Sequence, residues 1–245
     1  MKRGVRQGCV ISPDLFAIYS EIILRNIYDL EGVKIGGTNY NNIRYADDTV
    51  LITDTEEKLQ ELVNRVRRES MNMGLNINLR KTEIMVISKA VETPVCNITI
   101  NNEPMQQTNA FNYLGTLITQ DGRSTKEIER RIAIAKQAFN NFRYLLTNNR
   151  INSATRIRTL KTYIWSTMLY GAEAWTLTKI LKDKLRAAEM WFYRRMLRIT
   201  WVDRITNIEV LTRLNCTQSI ITTIRKRQLN FLGHVLREKK MNIIP

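Results

Sequence analysis

Tyr45-Ala46-Asp47-Asp48 sets two neighbouring carboxylates between short apolar stretches, with Ile43 and Arg44 before them and Val50, Leu51 and Ile52 after. The pattern reads as strand, tight turn, strand, with the acids at the tip. Like charges that close repel one another, and a divalent cation relieves the repulsion. Carboxylate oxygens on a rigid hairpin suit Mg²⁺, which binds protein through one or two carboxylates and takes substrate phosphates for other ligands. The chemistry implied is phosphoryl or nucleotidyl transfer by a two-metal scheme. Asp-Asp is also an ordinary turn composition, so the segment decides nothing alone.

The elements around it follow from periodicity. Ser12 before Pro13 reads as a capping hydroxyl followed by proline at the first helical position. Leu15, Phe16, Ile18, Tyr19, Ile22, Ile23 and Ile27 make that helix apolar nearly all round, so it is expected to be buried, with Gly32 ending it and Gly36-Gly37 turning the chain toward the acidic hairpin. Asp54 and Glu57 resemble a capping box ahead of a face formed by Leu59, Leu62, Val63 and Val66, which Gly74 stops. Ile84–Ile87, Asn97–Ile100 and Phe111–Ile118 are short strand candidates, with turns at Asn101-Asn102 and Asp121-Gly122. Beyond Gly122 the period becomes helical. Ile128, Ile132, Ala135, Phe139, Phe142 and Leu146 form one stripe, Ile157, Leu160, Ile164 and Met168 a second, Leu181, Leu185, Ala188 and Phe192 a third, and Ile220, Ile224, Phe231 and Val235 a fourth. Such stripes are core by default, and Trp165, Trp175, Trp191 and Trp201 are expected to join them.

Charge divides the chain at the same place. The 245 residues carry a formal +15, yet residues 1–120 hold 13 Lys/Arg against 14 Asp/Glu, while residues 121–245 hold 25 against 9. A polyanion is the expected partner of the second part, nucleic acid before an acidic membrane surface. Cys9, Cys96 and Cys216 lie far apart and His234 is the single histidine, which fits a reduced intracellular protein, in nucleus or cytoplasm, without a Cys/His zinc module. No apolar run reaches membrane-span length, and Met1-Lys2-Arg3-Gly4 does not open a secretory signal. A secreted or membrane protein is therefore not expected.

Four segments occur in a fixed order: Arg6-Gln7-Gly8-Cys9 with Ser12-Pro13; Tyr45-Ala46-Asp47-Asp48; Gly74-Leu75-Asn76 through Asn78, Lys81 and Thr82; and Phe111 through Tyr113-Leu114-Gly115. The set resembles polymerase motifs B to E of the reverse transcriptases of non-LTR (LINE-type) retrotransposons. Leu169-Tyr170-Gly171-Ala172-Glu173-Ala174-Trp175, Trp201 with Asp203-Arg204 and Thr206-Asn207, and Leu232-Gly233-His234 are similar to the C-terminal region of the same elements. The resemblance implies an α+β chain: a partial palm over 1–120, with an antiparallel sheet and helices on one face, then a helical thumb and C-terminal basic region over 121–245. It implies RNA-templated DNA synthesis from dNTPs, with Mg²⁺ or Mn²⁺ as cofactor and an RNA template and DNA primer as partners. Asp47 would coordinate the metal with Asp48 in support, and Lys81 would protonate or neutralise the leaving pyrophosphate. Gln7, Gly8, Tyr45 and Ala46 would lie at the nucleotide and template, Tyr45 near the primer end. Tyr113, Leu114 and Gly115 would form the primer grip. Arg130, Arg131, Arg156, Arg158, Lys161, Arg194 and Arg195 would face the nucleic-acid backbone.

The family also places an aspartate of motif A ahead of the Gln-Gly segment. Only seven residues precede Gly8, so that strand and the fingers are expected to lie outside this sequence, and residues 1–245 alone are expected to have little or no polymerase activity. The alternatives are a non-enzymatic nucleic-acid-binding remnant of a retroelement, an interaction protein with an acidic partner, and another right-handed polymerase class.

Overall fold

The computed structural model describes residues 8–88, 90, 92–216 and 219–237. They form two compact units that divide between Asn109 and Ala110. Within the described residues the architecture is α+β, as expected from the sequence. The strands pair in twos rather than as one palm sheet, and one pair, β5 (Glu83–Ile84) with β8 (Gln106–Gln107), is parallel.

In the first unit, α1 (Ser12–Arg25) and the turn after it pack Ile23, Leu24 and Ile27 with Leu62 of α2 (Glu56–Asn72). The neighbouring turn of α2 presents Val63 to Ile84, Ile98 and Ile100, so α2 is covered on both sides. Gln60 of α2 serves β6 (Thr99–Ile100) as a strand would: its amide accepts from the Thr99 N–H at 2.8 Å and donates to the Thr99 carbonyl at 2.9 Å. Three local expectations need correction. The cap position of α1 is Ile11, without a side-chain cap, and Ser12 is already helical. Only one face of α1 is buried; Leu15, Ile18 and Ile22 are exposed, because α2 covers a single side. The helix also ends at Arg25, well before Gly32. Gly32 instead permits a close backbone approach, since a Cβ there would lie 2.2 Å from the Tyr40 carbonyl oxygen. At α2 the cap is Thr55, whose hydroxyl accepts from the Lys58 N–H, while Asp54 pairs with the Lys58 ammonium. Gly74, at φ +78°, follows the helix end as expected.

The ribbons are set by turn residues. β1 (Val33–Ile35) and β2 (Thr38–Tyr40) are joined by Gly36-Gly37, and β6 and β7 (Glu103–Pro104) by Asn101-Asn102. All four turn residues have positive φ, the backbone sense that a two-residue hairpin turn requires. The stretch Ile84–Ile87 is strand only at Ile84, and Phe111–Ile118 is a hairpin rather than one run.

The second unit holds that hairpin, β9 (Ala110–Tyr113) and β10 (Thr116–Thr119), together with the helices. These are α3 (Thr125–Asn141), α4 (Arg143–Leu146), α5 (Ser153–Thr159), a π-helical segment Leu160–Trp165, α6 (Ser166–Met168), α7 (Lys179–Met196), α8 (Asn207–Leu214) and α9 (Ile220–Arg237). The core is built by the stripes read from sequence: Ile128, Ala135 and Phe139; Leu160, Ile164 and Met168; Leu181, Leu185, Ala188 and Phe192; Ile220 and Ile224. Phe139 meets Trp191 edge-on at 5.6 Å between ring centroids. Two expectations fail at the margins. Phe231 on α9 is exposed, and Trp201 is 89% exposed, outside the core that takes Trp165 and Trp175.

Glu189, 3% exposed on α7, accepts from the Ile220 N–H at 3.0 Å and from the Tyr193 hydroxyl. Burial pushes its carboxyl up to about 7. A group raised in the folded state contributes stability that is complete below its unfolded value, near 4.5, and lost as pH rises to about 7. Glu189→Gln keeps the acceptor and removes the titration. Relative to this variant, wild type should lose on the order of 3 kcal/mol between pH 4.5 and pH 8. Thermal unfolding across that range checks it, and parallel curves for the two proteins would contradict it.

Candidate catalytic hairpin and primer-grip hairpin

The acidic motif forms a two-stranded hairpin, β3 (Asn42–Tyr45) and β4 (Asp48–Leu51), in the register Ile43↔Val50, Arg44↔Thr49, Tyr45↔Asp48. Ala46 and Asp47 are the two turn residues. Ala46 sits at φ +52°, which hairpin closure requires and an alanine resists. Partners across an antiparallel pair share a face, so Tyr45 and Asp48 lie on the same side as Ile43 and Val50. Tyr45, Asp47 and Asp48 are all exposed. Among the described residues no Lys or Arg pairs with either aspartate.

The opposite face of the hairpin is fastened down. Arg44 donates to Glu21 of α1 at 2.5 Å, and Glu21 also accepts from Tyr28 at 3.1 Å and Arg25 at 3.2 Å. Arg44 first, then Arg25, hold the Glu21 carboxyl below its ordinary range. At the open end of the hairpin the buried Asn41 donates to the Ile27 carbonyl at 2.5 Å and the Leu30 carbonyl at 2.9 Å. Asn41 thus satisfies the backbone that follows α1, while the Asn41 backbone carbonyl accepts from the Ile52 N–H at 2.9 Å. Glu21, Tyr28 and Asn41 position the acidic turn, and nothing in sequence spacing marks them.

Of the other expected site residues in this unit, Lys81 ends a 3₁₀ turn, Leu79–Lys81, and is exposed without an ion pair to a described carboxylate. Gly8 lies in an exposed turn at φ +84° ahead of α1, with open space where a Cβ would be. Gln7 falls outside the described residues.

In the second unit, Tyr113↔Thr116 closes the β9–β10 hairpin around Leu114 and Gly115, both at positive φ. Both turn carbonyls are held. Leu114 O accepts from the Tyr170 hydroxyl at 2.9 Å, and Gly115 O accepts from Arg130 at 2.7 Å and from Arg131. Glu127, 1% exposed, binds the same two guanidinium groups at 2.8 and 2.6 Å and accepts from the Leu117 N–H at 3.1 Å. Burial works to raise the Glu127 carboxyl, but Arg130, Arg131 and the Leu117 amide together outweigh it and hold the group below its usual range. Arg131 also stacks on the Tyr170 ring, 4.5 Å from its centroid.

This geometry redistributes the basic residues expected at the nucleic-acid backbone. Arg131 and Arg156 are buried, Arg156 donating to the Leu146 and Met196 carbonyls, so neither guanidinium reaches a phosphate. Arg130 is bonded to Glu127 and Gly115, and Arg194 to the Ile205 carbonyl and Asn207. Arg158 and Arg195 are exposed, and Lys161 is half-buried beside the Trp165 ring.

Residues 1–118 match the family model described as reverse transcriptase (RNA-dependent DNA polymerase). An uncharacterized transposon-derived protein of Caenorhabditis elegans is 26% identical over 211 residues, 84% of this chain and 75% of that protein. The Pol polyproteins of retrotransposable element R2 of Nasonia vitripennis and R2DM of Drosophila melanogaster are 27% and 30% identical over 129 residues, 49% of this chain. Residues 1–118 are thus similar to reverse transcriptases, and the likeness to the R2 polyproteins supports a kinship with those of non-LTR retrotransposons. The chain spans 13% and 12% of the length of those two R2 polyproteins.

Reverse transcriptases use divalent metal ions. The donor set fits one: two adjacent hard oxygen ligands, exposed at a turn and unpaired with any described cation. The described residues hold no cluster of three or more His, Cys, Asp or Glu that could cage an ion. Asp47 and Asp48 therefore suit an ion that keeps waters and takes phosphate oxygens, as Mg²⁺ does. No helix among the described residues is long and apolar enough to cross a membrane.

Proposed function

We propose that this chain serves RNA-directed DNA synthesis, in which a DNA primer 3′-hydroxyl attacks the α-phosphate of a dNTP paired to an RNA template and pyrophosphate leaves. The observation that carries the reading is the Asp47-Asp48 pair, exposed at the tip of a hairpin whose other face is fastened by Arg44–Glu21 and Asn41. Asp47 would hold the divalent ion, Mg²⁺ or Mn²⁺, with Asp48 supporting it. When bound, that ion supplies charge neutralisation at the phosphates. Lys81, an exposed ammonium, would neutralise or protonate the leaving pyrophosphate. Gln7, Gly8, Tyr45 and Ala46 would border the nascent base pair. The Leu114-Gly115 turn, with Tyr113 beside it, would hold the primer strand through backbone that Tyr170, Arg130 and Arg131 keep still. Arg158, Lys161 and Arg195 would meet backbone phosphates, and work of this kind would take place inside the cell, in nucleus or cytoplasm. Most of the catalysis would come from positioning and electrostatics.

A non-enzymatic binding role is the second reading, favoured by the two-carboxylate donor set, because two-metal transfer draws acids from more than one strand. Anisotropy with a labelled RNA–DNA primer–template, followed by primer extension with dNTPs and Mg²⁺ or Mn²⁺, tests both. Residues 1–245 should bind the duplex with affinity that falls at least about tenfold between 50 and 200 mM salt. The same polypeptide should extend the primer little or not at all. Robust extension would contradict the two-carboxylate account, and salt-independent or absent binding would contradict the nucleic-acid reading itself.

A further inference from the structure

We propose that the corner between α7 and α8 binds an unpaired, single-stranded segment of nucleic acid, with the indole of Trp201 stacking on one base and Arg204 facing a flanking phosphate. The proposal rests on the nucleic-acid reading above and adds to it a second site with a different ligand, one whose bases are free.

Trp201 opens a 3₁₀ turn, Trp201–Asp203, and is 89% exposed, beside the exposed Val202 and with Ile208 78% exposed at the start of α8. A large indole in water is costly, about 25 cal/mol for each Å² of apolar surface left uncovered. The turn carrying it is nonetheless firmly built. Asp203 accepts from the Thr200 N–H at 2.6 Å and the Thr200 hydroxyl at 2.8 Å, closing a capping box. Arg194 ties the following loop to α7 through the Ile205 carbonyl at 2.7 Å and Asn207 at 2.9 Å. The ring is therefore presented by a fixed backbone.

The electrostatics around it select an anion. The three acids of the corner are already engaged: Asp203 within its own turn, Asp183 with Arg186 at 2.9 Å, and Glu209 with Arg213 at 2.5 Å. Arg204, in the left-handed region at φ +50°, is exposed with no described carboxylate paired to it. An open groove of about 530 Å³ runs along α7 to the start of α8, lined by Asp183, Arg186, Met190, Trp191, Arg194 and Asn207 among others, and so reaches the loop that Arg194 ties down. Trp191, in the groove lining, is covered on one side by the Arg195 guanidinium, 4.3 Å from its ring centroid. An exposed aromatic ring beside an unpaired cation, next to an open groove, suits a single strand, because every unstacked base offers a π-face. In a duplex those faces are already stacked, which sets this site apart from contacts to a primer–template backbone. An apolar protein partner would not require the cation to be free of acids.

The test compares wild type, Trp201→Ala, Trp201→Phe and Arg204→Ala. The probes are a labelled 12-nucleotide single-stranded RNA and an RNA–DNA duplex of the same sequence. Trp201→Ala should weaken single-strand binding by about tenfold, the value of one stacked base. It should leave duplex affinity within twofold and the melting temperature unchanged. Trp201→Phe should recover most of the loss, and Arg204→Ala should lower the salt dependence by about one phosphate contact. Single-strand affinity unchanged in Trp201→Ala would overturn the proposal while leaving the polymerase reading intact. So would equal losses for both probes, or concentration-dependent self-association of wild type that Trp201→Ala abolishes. Absence of binding to either probe by wild type would overturn both readings.

Discussion

Glu127→Ala should cost about 3 kcal/mol of stability, with the damage concentrated in the β9–β10 hairpin. Glu127 is the hub of a buried cluster: two guanidinium groups and the Leu117 amide converge on one carboxylate. Removing it leaves Arg131, itself buried, without a counter-charge, and leaving a buried charge unpaired costs more than the pair ever contributed. Arg130 and Arg131 would then lose the orientation that aims them at the Gly115 carbonyl. Hydrogen exchange at residues 113–117 should rise more than in α7, and a uniform change over the unit would contradict the placement of the effect. The sign of the pH dependence is fixed by the lowered carboxyl. Its contribution is complete above about pH 5 and lost as pH falls through its depressed folded value, so wild type and Glu127→Gln should converge in acid.

Much of this arrangement was legible in the residues. Turn chemistry identified the acidic hairpin, the Leu114-Gly115 turn fell inside a recognised motif, and the helical stripes marked the core of the second unit. These signals are local: they depend on spacing within one element. The residues that position the site are not local. Glu21 meets Arg44 across 23 residues, Tyr170 meets Leu114 across 56, and Glu127 reaches back to Leu117 from a different element. No periodicity links such pairs. Basic residues are hard to sort by sequence for a related reason. Arg131 and Arg156 look like their neighbours in sequence, and only the packing shows that one holds a turn and the other caps buried carbonyls. Residue type places Trp201 in the core, but in its short 3₁₀ turn between two helices the ring is 89% exposed. The exposure of Leu15, Ile18 and Ile22 has the same character: the sequence specifies an apolar helix, while only the fold shows that α2 covers one side of it.

The second large effect is expected at Asp47. Asp47→Asn removes one of two adjacent negative charges from an exposed turn while keeping the residue's shape and turn propensity. Without metal, the variant should be at least as stable as wild type, because a like-charge repulsion is relieved. With Mn²⁺ in excess the order should reverse, because an ion that binds only the folded form stabilises it by mass action. The loss of a ligand charge should weaken Mn²⁺ binding by at least about tenfold. Asp48→Asn should weaken it less, since Asp48 is proposed as the supporting ligand and is paired with Tyr45 in the strand register. A structural aspartate would behave the other way, losing stability on substitution and showing no response to the metal.

The most direct measurement is therefore a Mn²⁺ titration followed by electron paramagnetic resonance, on wild type and Asp47→Asn in parallel. The expected result is a saturable site in wild type whose affinity falls at least about tenfold in the variant. Equal Mn²⁺ binding by the two proteins would contradict the assignment of the Asp47-Asp48 turn as a metal seat, and the catalytic reading of the hairpin with it.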